Sequence, residues 1–191
     1  TYSRRVSTPV RRKVGRILWR KRVITVIDGV FTQLQMEKWK ENINRSTDNF
    51  VSGVLDKEGE GWHPVNSKHP NSHMCYEICR RAGKYFDLSE IIGYDYWTHT
   101  NTRPMQWHHD KDETAYLKLG MARYPVCSTV YYLEVEDLVN GKLQFDNGVE
   151  IVPKSNRLVI FSKGLYHGVE EFEGVRTSIN INLWNTRLYH S

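Results

Sequence analysis

The stretch Val175-Arg176-Thr177-Ser178-Ile179-Asn180-Ile181-Asn182-Leu183-Trp184 decides how this chain folds. It alternates with period two. Val175, Ile179, Ile181 and Leu183 fall on one side, and Arg176, Ser178, Asn180, Asn182 and Trp184 on the other. An extended strand sorts residues in this way, because successive side chains leave opposite faces of the pleat. The apolar side packs on a core, and the polar side faces either water or the interior of a pocket. An arginine inside a pocket requires an anion. A guanidinium fork with a hydroxyl two residues on suits a carboxylate. Alternation alone fits both settings. The position of Arg176, nine residues after His167, favours the pocket.

Upstream of this stretch, short strand-like runs recur: Tyr94–Thr100, Met105–His109, Val126–Glu134, Lys142–Phe145, Val149–Val152 and Arg157–Ser162. Turn residues separate them, among them Asn140-Gly141, Asn147-Gly148 and Lys154-Ser155-Asn156. The first half reads differently. A β-branched run at 23–27 ends at Asp28-Gly29, and Thr32 is placed to cap a helix through about Asn44. A second helix is expected from about Asn71 to Phe86, with Met74, Ile78, Ala82 and Tyr85 as its apolar stripe. Residues 46–70 read as loop or edge structure. Helices first and strands after predict a mostly β fold, a sandwich or barrel buttressed on one side by helices.

The sharpest local feature is Gln106-Trp107-His108-His109-Asp110. On a strand, His108 and Asp110 share one face while Trp107 and His109 take the other. That arrangement offers a nitrogen and a carboxylate oxygen to one cation, and His167 is the candidate third donor. Two histidines and one carboxylate on one side of a metal leave positions open, which suits Fe(II) that must also bind a co-substrate and oxygen. A His-x-Asp triplet alone is equally consistent with ordinary hydrogen-bonded side chains. Arg176 in register behind His167 is what raises it above that.

Taken together, these pieces resemble the Fe(II)/2-oxoglutarate-dependent oxygenase superfamily, in its prolyl-hydroxylase-like branch. The matching segments are His108-His109-Asp110, Thr129–Leu133, Asn156–Phe161 leading to His167, and Arg176-Thr177-Ser178, in order over about residues 94–184. The resemblance implies a double-stranded β-helix with N-terminal α-helices. It also implies an iron centre at His108, Asp110 and His167, with 2-oxoglutarate and O2 as co-substrates. Arg176 would pair with the far carboxylate of 2-oxoglutarate, assisted by Ser178 and by the hydroxyl of Tyr132, with Tyr131 as the fallback if the register shifts by one. The implied reaction is hydroxylation of a substrate coupled to release of succinate and CO2. Collagen-type members carry lysine where this chain has Arg176, a departure that weakens collagen as the substrate. A prolyl or other peptidyl substrate fits the branch. Trp97 and a mouth loop over Lys111–Tyr124 are where its contacts are expected.

With 191 residues, 39% of them hydrophobic, the chain suits one globular domain. No run of about 18 apolar residues offers a membrane span. Nine of its basic residues and no acid fall in residues 1–22, leaving 18 basic against 22 acidic residues in the rest. We therefore read 1–22 as a basic arm and 23–191 as a single oxygenase domain, with helical support over about 23–92 and the β core over about 93–185. The arm can bind nucleic acid or an acidic partner, or simply be solvated. Three cysteines with no framework spacing point to reduced thiols and a cytoplasmic setting. Cys75 and Cys79 lie near His69 and His73, but the spacing favours packed thiols over a zinc site. Competing readings are a nucleic-acid demethylase of the same superfamily, for which Arg187 is a poor match to a second arginine, a small-molecule hydroxylase, and a non-catalytic β-sandwich binding module.

Overall fold

A computed structural model describes residues 23–45, 61–68, 71–100 and 104–189. The basic arm and His69 therefore lie outside the described residues. Among the described residues, ten strands form two antiparallel sheets. The larger contains β1 (Ile24–Asp28), β2 (Gly61–Pro64), β3 (Gly93–Thr100), β5 (Cys127–Asn140), β8 (Arg157–Ser162) and β10 (Phe172–Trp184), in the order β1-β8-β5-β10-β3-β2. The smaller contains β4 (Met105–His108), β6 (Leu143–Phe145), β7 (Glu150–Ile151) and β9 (His167–Val169), ordered β4-β9-β6-β7. Helices α1 (Gln33–Arg45) and α2 (Ser72–Ala82) support the larger sheet, and α3 (Glu113–Leu119) follows β4. This is the mostly β architecture that the strand spacing predicts, and the two antiparallel sheets match the double-stranded β-helix that the resemblance implies.

The core divides according to the alternation in β10. Ile179, Ile181 and Leu183, together with Tyr131, Leu158 and Ile160, pack against Trp39 and Ile43 of α1 and Met74 and Ile78 of α2. On the other side of the same sheet, Val130, Tyr132, Val159 and Phe161 meet Leu143, Phe145 and Val169 of the smaller sheet. An apolar helix stripe and an apolar sheet face each remove the other from water, which accounts for the side on which the helices sit.

Local chemistry starts and stops these elements. The Thr32 hydroxyl accepts from the Gln35 amide at 3.3 Å, and the Gln35 side chain accepts from the Thr32 amide at 3.0 Å, a reciprocal cap on α1. Asn140 and Gly141, at φ 65° and 76°, make the two-positive turn that joins β5 to β6.

Several boundaries differ from the sequence expectation. Helix α2 stops at Ala82, where the chain continues as turns in which Tyr85 and Phe86 bond back to the Ala82 carbonyl. Residues 61–64, within the stretch read as loop or edge structure, do form an edge strand, paired with β3. The stretch expected as a mouth loop contains α3, capped by the Asp112 carboxylate on the Ala115 amide at 2.9 Å and closed by Gly120 at φ 65°. Its apolar positions do not form a stripe, since Leu117 is 78% exposed, so periodicity was silent there. Cys75 is fully buried while His73 is exposed. Among the described residues, His108, Asp110 and His167 are the one His/Cys/Asp/Glu group close enough to hold a metal ion. None of the described helices is long and apolar enough to cross a membrane.

Candidate active site

The smaller sheet brings two of the three donors together directly. His108 on β4 is the register partner of His167 on β9, and their rings lie 4.4 Å apart. Asp110 follows two residues beyond His108. Its Oδ1 lies 3.6 Å from His108 Nε2, and its Oδ2 lies 3.7 Å from His167 Nε2. The three donor atoms all fall within 4.8 Å of one another.

Backbone carbonyls set the orientation of both imidazoles. His108 Nδ1 sits 2.8 Å from the Gln106 carbonyl and His167 Nδ1 3.0 Å from that of Leu165. A carbonyl only accepts, so each Nδ1–H donates and each Nε2 is turned toward the shared space beside Asp110. Phe145 and Phe161 wall in the His167 ring at 5.9 and 4.8 Å.

Charge is balanced within the triad. Burial is the largest single influence on Asp110 and raises its pKa. The His108 hydrogen bond, the His167 imidazole and the Ser128 hydroxyl outweigh it and hold the carboxyl below its usual range. For His108, burial acts downward, but Asp110 prevails and the pKa is raised. Burial dominates at His167 and lowers it despite Asp110. An ionised carboxylate and two imidazoles whose Nε2 atoms converge form a donor set that fits Fe(II).

His109 takes the opposite face, as the alternation predicts, against Tyr166 at 4.8 Å and Tyr124 at 6.0 Å. Trp107 shares that outer face, 5.6 Å from Tyr166.

Facing the donors across one cavity is the polar side of β10. The larger sheet lines the cavity with Trp97, His99, Thr129, Val130, Arg176, Ser178 and Asn180, and the smaller sheet with Met105, Leu143 and Val169 beside the donors. Arg176 is 5% exposed and stacks over the rings of Tyr132 at 5.2 Å and Phe172 at 5.7 Å. Tyr132 is fully buried on the cavity side of the sheet, its ring against the Arg176 guanidinium. Tyr131 lies on the helix side, edge-on to Phe31 and Trp39. The Ser178 hydroxyl and the Asn180 amide nitrogen are buried without a hydrogen-bond partner among the described residues. Buried polar atoms left so are uncommon. A carboxylate entering the cavity supplies the acceptors they lack, so the wall fits a 2-oxo diacid.

Sequence reasoning passed over three neighbours of the site. His99 joins the wall, its Nε2 accepting from Trp97 Nε1 at 3.0 Å. Ser128 bonds Asp110. Asp95 accepts from Trp184 Nε1 at 2.6 Å, and burial, with Asp110 adding to it, pushes its carboxyl up to about 7. The alternation of Asp95, Trp97 and His99 along β3 was the available signal for the first and third.

The profile of the 2OG-Fe(II) oxygenase superfamily matches residues 94–184, the span that carries every residue of the cavity. No curated protein matches the sequence. Among solved structures, the fold is similar to a 2OG-Fe(II) oxygenase family oxidoreductase from Burkholderia pseudomallei (TM-score 0.59, 15% identity, 85% of this chain and 84% of that one). It is similar also to a Pseudomonas putida prolyl-4-hydroxylase (TM-score 0.58, 15% identity, 86% of each chain). A prolyl hydroxylase from Trichoplax adhaerens, solved with a hypoxia inducible factor oxygen degradation domain peptide fragment, aligns at TM-score 0.54 with 15% identity over 85% of this chain and 83% of that one. At such identities the likeness establishes a common fold.

Proposed function

We propose that this chain, whose residues 94–184 match the 2OG-Fe(II) oxygenase superfamily, is an oxygenase of that superfamily that hydroxylates a peptidyl substrate, with His108, Asp110 and His167 holding the iron and Arg176, Ser178 and Tyr132 receiving the far carboxylate of 2-oxoglutarate. Enzymes of the superfamily use Fe(II), 2-oxoglutarate and O2. The observation that carries the site assignment is convergence. Three metal-type donors within 4.8 Å of one another and a buried arginine line the same cavity from opposing sheets.

When bound, iron with 2-oxoglutarate and O2 supplies the oxidation: the 2-oxo acid loses CO2 to give succinate, taking one oxygen atom, and the other enters a substrate C–H bond. The protein's own side chains do the positioning. The Gln106 and Leu165 carbonyls hold both Nδ1–H groups and so turn each Nε2 toward the place a cation would take. Ser128 and the imidazoles keep Asp110 ionised. Arg176 is held in place by the Tyr132 and Phe172 rings, so its charge is oriented before the co-substrate arrives. The apolar walls at Leu143, Val169 and Val130 exclude water around the reacting centre.

A peptide is the substrate class supported best. Two of the similar folds are prolyl hydroxylases, one of them bound to a peptide fragment. The half-exposed rings of Trp107, Tyr124 and Tyr166 beside the metal-bearing strand offer flat apolar contact to such a chain. The three free cysteines accord with a reducing, cytoplasmic setting. Anaerobic titration with Fe(II) and 2-oxoglutarate tests the centre. A weak visible charge-transfer band should appear, and its absence with both components in excess refutes the assignment. A peptide screen by mass spectrometry for the gain of one oxygen atom then tests the substrate class. Oxidation confined to small molecules or nucleic acid would overturn the peptide reading.

A further inference from the structure

We infer that Asn180 is a co-substrate-binding residue whose side-chain amide donates to the metal-side carboxylate of the 2-oxo acid, the one adjoining the oxo group. The inference rests on reading the cavity as a 2-oxoglutarate pocket, and it adds a residue to that reading.

Strand register orders the cavity face of β10. Ser178 lies opposite Tyr132 on β5 and His99 on β3, Asn180 opposite Val130 and Trp97, and Asn182 opposite Ser128 and Asp95. Arg176 and Ser178 form one end of this row. At the other end is Ser128, whose hydroxyl bonds the metal-type donor Asp110. Asn180 stands between them. One step of two residues along a strand covers about 6.6–6.8 Å. The terminal carbons of an extended five-carbon diacid are about 5 Å apart, and their outer oxygens reach further. A diacid whose far carboxylate meets Arg176 and Ser178 therefore brings its other carboxylate to the level of Asn180, on the way to the metal donors.

The surroundings of Asn180 leave this donor to a ligand. Asn180 is 7% exposed and lines the cavity. Its Nδ2 has no acceptor among the described residues. The register partners on either side do not supply one. Val130 has no polar side-chain atom, and Trp97 carries a single N–H, which donates to His99 at 3.0 Å. Asn182, two residues on, differs because its side chain hydrogen-bonds Asp95. A buried amide with no acceptor is costly to keep, and an ionised carboxylate is the acceptor that rewards it most. Placed here, the donor also distinguishes the two ends of the acid. Arg176 attracts any carboxylate, whereas Asn180 makes its bond only when a second one points toward the metal.

The test compares 2-oxoglutarate with 4-oxopentanoate, which keeps the oxo group and the far carboxylate but has a methyl group in place of the metal-side carboxylate. Affinities are measured anaerobically on the Fe(II)-loaded protein by calorimetry for the diacid and by ligand-observed NMR for the weaker monoacid. Asn180→Ala should weaken 2-oxoglutarate about 10- to 100-fold and leave 4-oxopentanoate unchanged. Asn180→Ser, which keeps a donor, should recover part of the loss. If the alanine variant does not fold, the wild-type Zn(II)-loaded protein answers the same question. The assigned Asn180 side-chain amide protons should shift downfield on adding 2-oxoglutarate and stay in place with 4-oxopentanoate. Equal weakening of both acids, an unchanged diacid affinity, or amide shifts common to both acids would each overturn the assignment of Asn180 alone. A wild-type protein that binds metal but no 2-oxoglutarate would overturn the pocket reading with it.

Discussion

The two faces of β10 are built from one run of thirteen residues and behave oppositely. Toward the helices, Ile179, Ile181 and Leu183 are fully buried among apolar partners. Toward the cavity, Arg176, Ser178, Asn180 and Asn182 are almost as deeply buried, yet the Ser178 hydroxyl, the Asn180 amide nitrogen and the Asn182 amide oxygen find no hydrogen-bond partner among the described residues. The first face is complete by itself, because apolar surface needs only to be covered. The second is costly on its own and is stabilised by what it binds. The contrast separates what holds this fold together from what the fold is for.

The largest expected effect tests the cavity side. Asp110→Ala should reduce iron-dependent succinate formation to the level seen without iron, with the melting transition still cooperative. His109→Ala, on the outer face, should retain most of the turnover. Equal loss at both positions would mean that the face division stops short of β4. Next comes the helix side. Ile181→Ala should cost about 2–5 kcal/mol in denaturant unfolding, while the folded protein keeps its 2-oxoglutarate affinity. A large change in that affinity would show the two faces to be coupled through the strand.

A smaller effect is expected at Arg176. Replacing it by Ala should weaken 2-oxoglutarate by about 1.5–3 kcal/mol, read by calorimetry, with iron affinity nearly unchanged. Survival of the affinity would transfer the anchor to another cation.

The smallest effect belongs to neither face. At the outer edge of the larger sheet, the Arg157 guanidinium is the chief cause holding the Asp28 carboxyl at about 2. A carboxyl with a lowered folded pKa stabilises the protein above its unfolded value, near 3.8, and that contribution is lost as pH falls toward about 2. The Asp28 side chain is 42% exposed, so solvent screening limits the contribution to on the order of 1 kcal/mol or less. Unfolding curves of Asp28→Asn and wild type should therefore differ slightly at neutral pH and converge below about pH 2. A gap that persists in acid would assign the pair a packing role rather than an electrostatic one.

Much of the site was legible from local pattern. Alternation placed His108 with Asp110 and away from His109, and it put Arg176 and Ser178 on one face. The Thr32 cap and the Asn140-Gly141 turn could be read because each depends on residues within four of one another. Helix α3 could not, since a seven-residue helix with Leu117 turned outward has no apolar stripe. Strand β9 could not either, because three residues carry too little periodicity.

The choice between Tyr131 and Tyr132 shows where local pattern ends. Adjacent tyrosines must point to opposite faces of a strand, and that much is in the sequence. Which one meets Arg176 depended on which side of the sheet the helices cover, and Phe31 and Trp39 claimed Tyr131. The same holds for the metal donors. Period two assigns faces within one strand at no cost in chain closure. The pairing of β4 with β9, which sets His108 opposite His167 across 59 residues of chain, is a long-range contact. Two packed cores together meet the entropy of closing that loop, and no local run of residues encodes them.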